Sequence, residues 1–111
     1  MGLFNSVVSQ QVCPSCGNIV EFEVQFKYGN VREMRLYHVG DKVQWGGGID
    51  IGIPGVNQVV VDGAAGLCPT CGKYGPDFEV WIVDNTIASI RLASGKYNFV
   101  ERQVTYIVID E

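Results

Sequence analysis

All four cysteines of this chain fall in two copies of one pentapeptide, Cys13-Pro14-Ser15-Cys16-Gly17 and Cys68-Pro69-Thr70-Cys71-Gly72. A gap of two residues lets the backbone curl so that both thiolates of a copy point at one ion. The glycine that follows supplies the positive φ such a turn needs. Each copy offers only two ligands, while a tetrahedral zinc site takes four at about 2.3 Å. The distant halves must therefore close together on a single ion, with Cys13, Cys16, Cys68 and Cys71 as its ligands. A site with four thiolates keeps no open position for water, so the expected Zn²⁺ is structural rather than hydrolytic.

Three other uses of these sulfurs compete with zinc. Disulfides have three pairings available, but a bridge within Cys-x-x-Cys is strained, and no secretory segment points to an oxidising compartment. A redox pair needs a helix after its second cysteine to lower the thiol pKa, and both copies run instead into strand-like sequence. Iron in the same four thiolates is the alternative metal, because geometry alone does not separate it from zinc.

The rest of the chain reads as β structure in one domain spanning residues 1–111. Val20, Phe22, Val24, Phe26 and Tyr28 alternate with Glu21, Glu23, Gln25 and Lys27, the period of a strand with one buried face. Gly29-Asn30 is the turn expected after it, with residues 31–39 returning and Met34 and Leu36 inward. Three consecutive valines, Val59, Val60 and Val61, read as a strand covered on both faces. Phe78, Val80 and Ile82 alternate again, Asn85-Thr86 turns, residues 87–93 return, 97–100 form a short strand, and 104–109 close the chain. No helical period of useful length occurs, so the predicted fold class is all-β, antiparallel hairpins closed around one four-cysteine site.

An internal duplication supports that architecture. The cysteines repeat at an offset of 55, while Phe22-Glu23-Val24 matches Phe78-Glu79-Val80 and Arg35-Leu36 matches Arg91-Leu92 at 56. Each unit would be a knuckle, a strand, a turn and a returning strand, related by a pseudo-twofold axis near the metal.

Residues 46–55 do not fit regular structure. Trp45 opens a stretch of five glycines and a proline with Ile49, Ile51 and Ile53 interleaved. No Lys-Ser/Thr pair or helix follows the glycines, which excludes a phosphate loop. Either the loop folds its isoleucines into the core, or it displays Trp45, Ile49, Ile51 and Ile53 to a partner.

Composition narrows the function. The formal charge is −4, and a dication held by four thiolates, a net change of two negative charges, takes it to −6. Such a surface repels phosphate backbones and favours a basic protein partner over nucleic acid. No apolar run reaches the length of a membrane span. Met1-Gly2-Leu3-Phe4-Asn5-Ser6 matches an N-myristoylation pattern, but no polybasic stretch supplies a second anchor; Leu3 and Phe4 are expected to tuck onto the core. His38 has no nucleophile to pair with and is read as structural. Asp62 and Asp77, beside glycine or proline, and Asp50, two residues from Gly48 and Gly52, are read as turn residues.

Two knuckles facing each other across a metal resemble a zinc ribbon, although the 51 residues between Cys16 and Cys68 exceed the usual spacing. The Met1-Gly2-Leu3-Phe4 opening followed by Cys-Pro-x-Cys-Gly and a phenylalanine-rich strand is similar to short bacterial and phage proteins of unassigned function. The resemblance implies a cytoplasmic bacterial or phage protein with a zinc site, and it carries over no catalytic residues. Zinc ribbons commonly bind nucleic acid, which makes that the alternative to a non-enzymatic interaction module, such as a small acidic neutralising or immunity-type protein.

Overall fold

In the computed structural model, residues 3–97, 99 and 104–109 are described, and every element among them is a strand: β1 (Asn5–Val12), β2 (Ile19–Phe26), β3 (Gly29–Asn30), β4 (Leu36–His38), β5 (Asp50–Ile51), β6 (Gln58–Ala65), β7 (Asp77–Val83), β8 (Thr86–Leu92) and β9 (Tyr106–Val108). The main sheet runs β4-β1-β2-β6-β7-β8, with β9 beside β6, while β3 and β5 form a separate short pair. The sheet curls. After β4, the Gly40 N–H donates to the Ile87 carbonyl, Ile87 N–H to Asp41 and Val43 N–H to Asn85, stitching one end of the sheet to the start of β8.

Inside the curl lies the main core. On β2 the even residues are buried and the odd ones from Ile19 to Gln25 exposed, as the alternation requires. Phe22, Val24, Phe26 and Tyr28 meet Val59, Val61, Phe78, Val80 and Ile82 from the second hairpin. Where β2 pairs with β6 there is no room for a side chain at position 63: a Cβ on Gly63 would stand 2.7 Å from Val24 Cγ1. Val59, Val60 and Val61 are all buried because β6 is covered on both faces. On the outer face Val60 packs with Trp81 and Phe99, and the Arg91 guanidinium lies 4.9 Å from the Trp81 ring centroid.

The internal repeat is present, but in a different unit. The two equivalent pieces are strand, knuckle, strand: β1–knuckle–β2 and β6–knuckle–β7. Val7 pairs with Val24 in one and Val61 with Val80 in the other. The extra residue between Cys71 and Phe78 is thus balanced by an extra one between Gly63 and Cys68, so each arm of the second hairpin is one residue longer.

The return after β2 does not follow the sequence reading. β2 already has β1 on one edge and β6 on the other, so no edge remains for residues 31–39. They turn at Met34 (φ 49°) and pass to the far side of β1, where β4 lies parallel to it. Met34 and Leu36 are consequently exposed, and Tyr37 points inward instead. Arg35-Leu36 and Arg91-Leu92 are therefore not equivalent, since β8 pairs antiparallel with β7. That second hairpin turns at Asp84-Asn85, both with positive φ, one residue before the expected Asn85-Thr86. A β-branched threonine resists positive φ and takes the first strand position. Tyr97 and Phe99, the described residues of the short strand expected over 97–100, are not in a strand, and the others lie outside the described residues, as do Met1 and Gly2; Leu3 and Phe4 are half-buried.

The glycine-rich stretch is organised around Tyr28. Its hydroxyl donates to the Ile53 carbonyl at 3.0 Å, and its ring meets Trp45 edge-on at 5.3 Å. A side chain at Gly52 (φ 98°) would overlap that ring, which accounts for glycine there. The Trp45 indole N–H donates to Asn85 Oδ1 at 2.7 Å, tying the stretch to the β7–β8 turn. Trp45→Phe keeps the ring contact but removes the donor from a part-buried acceptor. It is expected to cost about 1 kcal/mol in urea unfolding, and an unchanged midpoint would contradict this role.

Candidate metal centre

Both knuckles form by the same local hydrogen bonds. Cys13 N–H donates to Asn18 O at 2.9 Å and Gly17 N–H to Cys13 O at 2.7 Å; in the second copy Cys68 N–H donates to Lys73 O at 2.8 Å and Gly72 N–H to Cys68 O at 2.9 Å. Gly17 and Gly72 share a φ of 75°. These bonds leave backbone N–H groups aimed at sulfur, from Cys16 and Ser15 onto Cys13 and from Cys71 and Thr70 onto Cys68.

The hairpins carry the knuckles to one point, and the four Sγ atoms all lie within 4.8 Å of one another. Cys13 Sγ and Cys71 Sγ are 3.8 Å apart, and Cys16 Sγ and Cys68 Sγ 3.9 Å. A regular tetrahedron with metal–sulfur bonds of about 2.3 Å has edges of about 3.8 Å. The cluster therefore fits one metal ion. These separations exceed the about 2.05 Å of a disulfide, and all four cysteines are free. Cys13 and Cys68 are buried, while Cys16 and Cys71 are half-buried at the rim.

The electrostatics call for a cation. Cys68 is lowered to about 6, first by the Cys71 N–H and then by that of Thr70, and Cys13 is lowered chiefly by the Cys16 N–H. The Lys73 N–H pulls Cys71 the same way, yet burial and the three neighbouring sulfurs outweigh it and push Cys71 up to about 11. Without a positive ion the last thiol does not ionise beside the others; a bound metal removes that conflict.

The pH dependence follows. The lowered Cys68 stabilises the folded state fully above its ordinary value near 9, and this contribution is lost as pH falls to about 6. The raised Cys71 acts oppositely and weakens the metal-free fold as pH climbs from about 9 towards 11. A bound cation opposes protonation at every sulfur. Acid release of metal, read with a chromophoric chelator, should be centred at or below about pH 6; release centred near neutrality would be inconsistent with this arrangement.

Of the loop residues singled out from sequence, Trp45 is turned into the molecule and Ile51 is half-buried opposite Gly29 in the β3–β5 pair. Ile49 and Ile53 are 44% and 50% exposed. Asp50 holds the turn by accepting N–H bonds from Gly46 and Gly47. His38 is exposed on β4 with Nδ1 3.6 Å from the Asp41 carboxylate. Asp62 and Asp77 share the outer face of β6 and β7, where burial first and Asp77 second raise the Asp62 pKa.

Some contributors were not singled out from sequence. Asn5, fully buried, donates to Tyr28 O and accepts from Arg35 N–H, holding the crossing from β2 to β4. Glu79 is buried beneath the outer cover, accepting from Trp81 Nε1–H and from Ser94. Gln11 lies on the same face of β1 as Val7. A polar residue in register with a buried valine was the available signal for both Asn5 and Gln11.

No known protein family, curated protein or solved structure matches this chain.

Proposed function

We propose that this protein is a non-enzymatic, zinc-pinned β scaffold that binds a basic protein partner in the reducing cytoplasm of a bacterium or of a phage-infected cell, as a small neutralising protein would. The observation that carries this reading is the closure of the cluster. Four sulfurs at tetrahedral separations use every ligand position, leaving none for water or substrate. Zinc is favoured over iron because a redox-inert ion suits a purely structural role. An acidic surface then steers a cationic partner, and the exposed Ile49 and Ile53 supply apolar anchors on a loop that Tyr28 and Asp50 hold in place. Among the described residues no helix is long and apolar enough to cross a membrane.

Elemental analysis tests the metal: one zinc per chain is expected, and a stoichiometric iron content would replace it. For the partner, affinity capture from a native lysate should recover one basic protein in stoichiometric amount, with recovery falling about tenfold for Ile49→Asp/Ile53→Asp. Capture of nothing stoichiometric would overturn the reading. Salt-dependent micromolar binding to DNA or RNA would replace it with nucleic-acid recognition.

A further inference from the structure

Two close sulfur pairs in the cluster both run from one hairpin to the other, and each joins a buried sulfur to one at the rim. Cys13, 1% exposed, lies 3.8 Å from half-buried Cys71; Cys68, also 1% exposed, lies 3.9 Å from half-buried Cys16. The two pairs use each of the four cysteines once. In both, the Cβ–Sγ bonds stand at 90° or more to the line between the sulfurs, the bent arrangement of a disulfide. Among the described residues no other two cysteines combine a separation within 4.0 Å with such angles. A bridge inside a knuckle would also have to work against the turn that the Gly17 and Gly72 N–H bonds hold.

Access differs as sharply as burial. Ser15 and Gly17 beside Cys16, and Thr70 and Gly72 beside Cys71, are all exposed, so a small polar oxidant reaches the second sulfur of each knuckle while the first is screened. An accessible thiolate with a second sulfur poised beside it is the layout of a cysteine that is oxidised and then resolved. The rim sulfur gives an electron pair to one oxygen of a hydroperoxide: the S–O bond forms, the O–O bond breaks, and the other oxygen leaves as hydroxide. A sulfenic sulfur no longer ligates as a thiolate. The buried thiolate across the pair then attacks it, the S–S bond forms, the S–O bond breaks, and a second hydroxide leaves. With hydrogen peroxide, two thiolates, one peroxide and two protons give one disulfide and two waters, the sulfurs losing the two electrons that the peroxide gains. Closing the pair from 3.8 Å to about 2.05 Å asks the two side chains for about 1.8 Å between them.

We propose that Cys16 and Cys71 are oxidation sites for hydroperoxides, and that their oxidation exchanges the metal clamp for covalent bridges, Cys71 to Cys13 and Cys16 to Cys68, which keep the hairpins joined as the ion is released. The first bridge leaves only two thiolates, too few to retain the ion. The bridges span 58 and 52 residues of sequence, so they constrain the unfolded chain strongly, as a bridge inside one knuckle would not. The proposal starts from the zinc-loaded state of the scaffold reading and needs no partner.

The test treats the zinc-loaded full chain with about a tenfold excess of hydrogen peroxide and follows release with a chromophoric chelator. One ion should leave per chain as the first bridge forms, and peptide mapping without reductant should find Cys13 joined to Cys71 and Cys16 to Cys68. The oxidised, metal-free chain should melt within about 5 °C of the loaded protein, against about 15 °C lower for reduced chain stripped by chelation. Thiol reductant with one equivalent of zinc should restore the loaded form. Cys16→Ser/Cys68→Ser, which keeps Cys13 and Cys71, should bridge about tenfold faster than Cys68→Ser/Cys71→Ser, which keeps the cysteines of one knuckle; should these variants fold poorly, the mapping of the unaltered chain decides. Bridges within a knuckle, sulfinic acid at the rim without a bridge, disulfides between chains, or a melt as low as that of the stripped chain would each overturn the proposal. Zinc that stays bound throughout would overturn it too, while leaving the metal centre and the scaffold reading intact.

Discussion

Cys68→Ser is expected to abolish stoichiometric metal binding and to lower the thermal midpoint by about 15 °C, equivalent to about 3–5 kcal/mol. The size of the effect follows from how little else joins the two hairpins near their tips. β2 and β6 are paired through Val24, Gln25 and Phe26 against Ala65, Ala64 and Gly63, with one further bond from Gly66 N–H to Glu23 O, and the knuckles project beyond that short ladder. An ion held by the four sulfurs would clamp the remainder. Cys68 is the most informative position because it is buried and receives N–H groups from its own knuckle, so serine there leaves donors facing a poorer acceptor. Chelation of the unaltered protein should reproduce the shift, and chelator added to Cys68→Ser should do nothing further. An unaltered melt in the variant would mean that the sulfur cluster does not hold the fold.

The second large effect lies in the core beside the cluster. Phe22 and Phe78 are fully buried at equivalent positions of the two hairpins, with ring centroids 5.7 Å apart at 53°. Phe22→Ala and Phe78→Ala should each cost about 3–5 kcal/mol in denaturant unfolding of the metal-loaded protein, from lost burial plus the cavity left behind. Because the rings touch, the double variant should fall short of the summed losses by about 0.5–1.5 kcal/mol. Additive losses would show that the hairpins do not pack through this pair.

How much of this was legible beforehand depended on whether the information was local. The knuckles are local: two cysteines, a proline and a glycine dictate their own turn, and the same bonds form in both copies. The alternation of β2 and the unbroken valines of β6 reported burial correctly, because period two is a property of the strand itself. Residues 31–39 carried strand-like residues too, but which neighbour they meet depends on which edges are free. The same limit hid Glu79, whose alternation looks solvent-facing until the outer cover around Trp81 and Phe99 buries it.

The sequence by itself determined the four-cysteine cluster, the all-β class and the repeat, since each is written in spacing and periodicity that any folded arrangement must respect. Only the tertiary structure decided that the repeated unit is strand–knuckle–strand and that β4 passes to the far side of β1. Those are questions of edge occupancy: each strand has two edges, and their allocation is a property of the whole sheet that no stretch of residues encodes alone.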